Sequence, residues 1–206
     1  EDTLSLHDAL PISADEKRLG DRGLEIRGAL NVRTFVQYFG SMLEENVVFH
    51  GKALELLKSL PDESVDMIFT DPPFNTRRVR KSSKGLSYVD CRDDYYDWLK
   101  EHMAECRRVL KKTGTIYLHL NEKASSYARV LVMDPLFGEK NHLNTIIWSF
   151  DYGGRGRKKF AAKHEVILAY TKQAGTHVFN WDDIDRIPYM APGLQKDPAK
   201  AARGKV

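Results

Sequence analysis

Two consecutive prolines decide how the middle of this chain can fold. The apolar run Val65–Thr70 reads as a β-strand, and it leads directly into Asp71-Pro72-Pro73-Phe74. Proline lacks the backbone N–H that a central strand must donate, so the strand stops at Thr70 and a loop opens at its carboxyl end. The neighbouring text alternates between strand and helix patterns. Residues 47–50 and 115–120 read as short strands, and 53–60, 93–111 and 124–136 as helices. Such alternation predicts an α/β fold, a layered sheet with parallel strands. Residues 144–150 and 165–171 read as two further strands that pair antiparallel across a Gly- and Arg/Lys-rich connection.

The helix expected over 93–111 carries the clearest pattern. Tyr95, Leu99, Met103, Cys106 and Leu110 recur at spacings of three and four, which makes an apolar stripe. Asp93 and Asp94 sit in its first turn and Arg107, Arg108, Lys111 and Lys112 in its last, as the helix dipole favours. Gly114 is expected as its C-terminal cap. The stretch 75–92 is expected to be a long basic loop.

Composition narrows the class without naming a function. Hydrophobic residues make up 42% of the 206 and charged residues 30%, ordinary for a globular chain. No apolar run is long enough to span a bilayer. Two cysteines, Cys91 and Cys106, form neither a disulfide framework nor a zinc pattern. Thr3–Ile12 resembles one reading frame of a short-read sequencing adapter, and residues 1–13 are therefore set aside from the fold as a non-native segment. Without Glu1, Asp2 and Asp8, the remainder carries 32 basic against 26 acidic side chains, a net +6. That modest excess is compatible with a nucleic-acid partner. Residues 14–45 are charged and weakly patterned, and residues 46–206 form the expected catalytic portion.

The chemistry centres on the loop at Asp71. Ligands of open α/β sheets bind outside the carboxyl ends of the strands. An exocyclic base amine is a poor nucleophile because its lone pair is delocalised into the ring. Two acceptors at fixed positions can grip both N–H bonds and favour a pyramidal nitrogen. The Asp71 carboxylate supplies one acceptor. The Pro72 carbonyl, held rigid by Pro73, supplies the other. Phe74 offers a face on which a base can stack, worth roughly 1–3 kcal/mol. The base must first be flipped out of the duplex. The catalytic residues expected are thus Asp71, Pro72, Pro73 and Phe74, acting mostly by positioning. Neither a metal nor a covalent intermediate is needed.

Ile68-Phe69-Thr70-Asp71-Pro72-Pro73-Phe74 resembles the amino-methyltransferase motif Asp/Asn/Ser-Pro-Pro-aromatic after a strand. The text around it is similar to the adenine-specific DNA methyltransferases in which this motif precedes the cofactor motif. The segments that carry the likeness are 50–66, 107–110, 114–120, 143–149, 163–171 and 187–193. The resemblance implies an incomplete Rossmann-like sheet with helices on both faces and S-adenosylmethionine as methyl donor, with Asp71 bordering it. It implies double-stranded DNA as partner, with a cognate restriction endonuclease and a homodimer as further partners, in a prokaryotic cytoplasm. Two positions depart from the pattern: Lys52 and Asn121 stand where family members often carry acidic residues. The family's Phe-x-Gly-x-Gly cofactor motif does not occur in the 206 residues, so a truncated frame is expected.

Two basic clusters are expected on DNA: Arg77, Arg78, Arg80, Lys81 and Lys84, then Arg155, Arg157, Lys158, Lys159 and Lys163. Interactions of this kind set affinity rather than sequence choice. Tyr88, Tyr95, Tyr96, Trp98, Trp148, Tyr152 and Trp181 read as packing residues, and His50, His119 and His164 as structural ones. The alternatives are a cytosine-N4 enzyme, which more often has Ser in place of Asp71; a glutamine methylator, which more often has Asn; and a DNA-binding fragment without activity. A nucleotide-binding oxidoreductase would need a Gly-x-Gly-x-x-Gly turn, which is absent.

Overall fold

The computed structural model describes residues 25–27, 47–49, 51–81, 87–152, 157–158 and 160–204. Strands β1 (Glu25–Arg27) and β2 (Val47–Phe49) pair in parallel. Helix α1 (Ala53–Ser59) follows, then β3 (Val65–Thr70). Next come a hairpin of β4 (Arg78–Lys81) and β5 (Ser87–Asp90), helix α2 (Tyr95–Val109) and the long strand β6 (Leu110–Asn121). Helix α3 (Glu122–Ala128) runs through a π-helical turn, Arg129–Met133, into the short α4 (Asp134–Phe137). Strands β7 (His142–Ser149) and β8 (His164–Thr171) complete the sheet. Two short helices, α5 (Pro192–Gln195) and α6 (Pro198–Arg203), lie in the tail.

The main sheet has the order β3-β6-β8-β7. β3 and β6 are parallel, and β8 is antiparallel to both its neighbours. The α/β class, the parallel pair and the antiparallel pair are therefore as the sequence indicates, whereas the core helices, expected on both faces, pack on one face among the described residues. The π turn has a local cause. Pro135 cannot donate to the helix ladder, and just before it the Asp134 N–H reaches Arg129 O, five residues back.

The core lies on one face of this sheet. Ile116, Leu118 and Leu120 of β6 and Val166, Leu168 and Tyr170 of β8 alternate onto that face. Tyr95, Leu99, Met103 and Cys106 of α2 cover them, with Ala124, Ala128, Val132, Met133 and Phe137 from the α3–α4 helix. Burying each large side chain of this kind contributes about 1.5–3 kcal/mol. On the opposite face Met67, Phe69, Ile146 and Trp148 are exposed.

Two local expectations are corrected. Gly114 does not cap α2, which ends at Val109; like Leu110, Lys111 and Lys112, which the sequence pattern places in the helix, it lies inside β6. A Cβ there would come within 2.9 Å of the Asp66 carbonyl and 2.7 Å of Leu110 Cδ1, so close approach of β3 to β6 requires glycine. The stretch 75–92 is not an open loop, because it contains the β4–β5 hairpin, with Arg78 opposite Asp90 and Lys81 opposite Ser87.

Candidate active site

The Asp71-Pro72-Pro73-Phe74 segment leaves the carboxyl end of β3, and its backbone is held by two side chains. The Tyr95 hydroxyl, at the start of α2, donates to the Pro73 carbonyl at 2.7 Å. Burial, ahead of Tyr96 and the Asp90 and Asp71 carboxylates, raises the pKa of that hydroxyl well above the ordinary tyrosine range, so it stays a donor. Asn121, at the end of β6, donates from Nδ2 toward the Phe74 carbonyl at 3.5 Å and accepts from the Ala124 N–H at 2.8 Å, capping α3. The amide side chain makes both bonds; an ionised Asp could make only the second. The departure at Asn121 thus fits its place. Lys52 instead is solvent-facing and 3.8 Å from Glu55.

Beyond the motif, the buried Asp90 clasps the chain. Its carboxylate accepts from the Asn75 N–H at 2.9 Å, the Thr76 N–H at 3.0 Å and the Thr76 hydroxyl at 2.6 Å. The Asp90 carbonyl accepts from the Arg77 N–H at 2.7 Å. Asn75 and Arg92 exchange two further bonds, of 3.0 and 2.8 Å. Within this clasp Asn75 and Arg77 take positive φ of 53° and 57°. These bonds offset the cost of a backbone region that side chains other than Gly rarely adopt.

This bonding pattern leaves two acceptors open side by side. The Pro73 and Phe74 carbonyls are taken, while the Pro72 carbonyl has no partner among the described residues. The Asp71 side chain is 59% exposed, with Oδ1 held 3.2 Å from His119 Nδ1. Phe74 is half-buried and meets the His119 ring edge-on at 5.4 Å between centroids.

The residues expected on DNA fall differently. Arg77 is exposed and lies 3.5 Å from Asp93, and Arg78 is exposed at the start of β4, which also contains Arg80 and Lys81. Arg157 and Lys158 are exposed. Lys163 donates to the Asp151 carbonyl at 3.2 Å and the Tyr152 carbonyl at 2.6 Å. Lys84, Arg155 and Lys159 lie outside the described residues. Trp148, Tyr152 and Trp181, read from sequence as packing, are instead exposed, and Trp148 lies 5.5 Å from the His119 ring. His119, Tyr95 and Asp90 do not stand out as site residues in the sequence. The signal for His119 is register. Thr70 pairs with Leu118, so the next residue of β6 falls beside Asp71.

The family described as DNA methylase, of the N6/N4 type, matches residues 65–199. The chain is 39% identical over 142 residues to DNA adenine methyltransferase YhdJ of Escherichia coli (strain K12), covering 68% of this chain and 46% of that protein. It is 30% identical over 133 residues to type II methyltransferase M.BglII of Bacillus subtilis, covering 62% and 35%. It is 32% identical over 137 residues to type II methyltransferase M.HpaI of Haemophilus parainfluenzae, covering 66% and 41%. The chain therefore spans less than half the length of these curated relatives. With the Asp-Pro-Pro-Phe loop at a strand end and a family match that includes it, the chain belongs to the N6/N4 DNA methylase family.

Proposed function

We propose that this chain supplies the amine-gripping part of an S-adenosylmethionine-dependent DNA methyltransferase whose target is N6 of adenine. One observation carries the reading. Asp71 and the Pro72 carbonyl are adjacent acceptors left open, while the two carbonyls that follow are hydrogen-bonded away. A flipped adenine would give one N–H to Asp71 Oδ2 and one to Pro72 O. The nitrogen lone pair would then point out of the base plane. Phe74, in the same loop, would contact the ring, and Asp71 with Pro72, Pro73 and Phe74 forms the proposed catalytic set.

S-adenosylmethionine fits the chemistry of this end of the sheet. Its sulfonium is a cation, and Asp71 and Glu165 present carboxylates on either side of His119. When bound, it supplies an electrophilic methyl group. Asp71 would border it, and the chain's own residues would hold the amine in line. Adenine is favoured by Asp at position 71 and by the relative named as an adenine methyltransferase. Arg77, Arg78, Arg80, Lys81 and Lys84, with Arg155, Arg157, Lys158, Lys159 and Lys163, are proposed to neutralise phosphates of double-stranded DNA. A cognate endonuclease and a homodimer belong to the same proposal.

The test is the chemical identity of the product. The intact protein is incubated with labelled S-adenosylmethionine and duplex DNA, and the digested nucleosides are separated. N6-methyladenine is expected. N4-methylcytosine would reassign the substrate and keep the mechanism. No labelled base with any duplex would overturn both.

A further inference from the structure

We propose that His119 is a positioning residue for Asp71, a role that rests on the amine-methyltransferase reading above. Its side chain is 7% exposed, too buried to be a solvated surface group. It sits between the rings of Phe74 and Trp148 at 5.4 and 5.5 Å, which fix its plane. Nδ1 lies 3.2 Å from Asp71 Oδ1. Nε2, buried and without hydrogen-bond geometry, lies 3.1 Å from Glu165 Oε2.

A histidine serving only to fill the core would not need a carboxylate at each nitrogen. The sheet register produces this arrangement. β3 and β6 pair in parallel with Thr70 beside Leu118, so Asp71 and His119 are the next residues on adjacent strands. β6 and β8 pair with Asn121 opposite Glu165, and Glu165 leans along the strand to His119. Three adjacent strands thus place a carboxylate, an imidazole and a carboxylate in one row.

The consequence for Asp71 is orientational. An exposed carboxylate on a loop turns about its χ angles, and an acceptor that turns cannot hold an amine in one pose. A donor at Nδ1 ties Oδ1 and leaves Oδ2 as the single acceptor facing outward. The neutral ring with its proton on Nδ1 and the imidazolium both make this bond. The neutral ring with its proton on Nε2 does not, because its bare Nδ1 would face the carboxylate. His119 touches neither the amine nor the methyl group in this arrangement; it acts through Asp71.

The experiment combines kinetics with a direct reading of the ring. In the intact enzyme, His119→Leu should lower kcat by about ten- to a hundred-fold, as displaced reacting groups do, with KM for DNA and for S-adenosylmethionine unchanged. His119→Asn, whose amide nitrogen can stand near the Nδ1 position, should recover most of the loss. Long-range proton–nitrogen NMR of the unmodified protein should show a proton on His119 Nδ1 whose signal moves in Asp71→Ala. A proton on Nε2 alone would overturn the proposal whether or not His119→Leu folds. So would unchanged kcat in His119→Leu when the unmodified enzyme is active. An unmodified enzyme that transfers no methyl group to DNA defeats the reading of the site itself, a different result from either.

Discussion

At the scale of single residues, the site depends on which polar atoms are used and which are left open. Tyr95 is 2% exposed and its hydroxyl serves the Pro73 carbonyl. Tyr95→Phe leaves that carbonyl without its donor, so a loss of about 1–2 kcal/mol is expected in chemical denaturation. A midpoint unchanged with the same slope would show that the bond contributes nothing. The cysteines give a second check. Burial, ahead of the neighbouring Glu105, pushes the Cys106 thiol up to about 12, whereas Cys91 is exposed. Because the raised value keeps the thiol protonated at pH 8, only Cys91 should react with a thiol reagent in the folded protein, and both should react in denaturant. Two fast thiols in the native protein would contradict the packing of α2. The apolar stripe that buries Tyr95, Leu99, Met103 and Cys106 is legible in the sequence because helical spacing depends on local order alone. Tyr95 is legible as a packing residue, but its bond to Pro73 is not. That bond joins positions 22 apart in sequence, and no local pattern encodes it.

At the scale of elements, β3 and the turn after it are legible to the residue, since two prolines fix where a strand must end. The hairpin β4–β5 is not. Its two strands are four residues each, and the basic side chains in β4 read as loop. Gly114 shows the same limit in reverse: a glycine after a helix pattern suggests a cap, and only the approach of Asp66 shows why it is a strand residue. The hairpin is tied through Asp90 to Asn75 and Thr76, the residues that follow the motif. Replacing Arg77, Arg78, Arg80 and Lys81 together by Ala should weaken DNA binding by the intact protein. Each phosphate that is no longer neutralised should lower the slope of log affinity against log salt by roughly 0.9. An unchanged slope would mark the hairpin as a solvated face.

At the scale of the whole molecule, among the described residues, one layer of helices covers one face of a four-stranded sheet, and the motif sits where the parallel pair β3–β6 ends. The class of fold is legible from the alternation of strand and helix patterns. The order β3-β6-β8-β7 is not, because a strand inserted between earlier and later neighbours leaves no mark in a linear reading. That order is what brings Glu165 of β8 toward the Asp71 end of β3, through His119 of β6. The central claim is that Asp71 grips the target amine from a loop built by this sheet. Asp71 is exposed and stands outside the apolar core, so Asp71→Ala should still fold and unfold cooperatively, at a cost of about 1–3 kcal/mol for the buried His119 Nδ1 left without its partner. Methyl transfer to adenine-containing duplex DNA should fall by about a hundred-fold or more, as loss of a positioned polar partner does elsewhere. A variant that unfolds cooperatively and keeps more than about a tenth of the unmodified rate would contradict the account, because the acceptor on which it rests would not be needed.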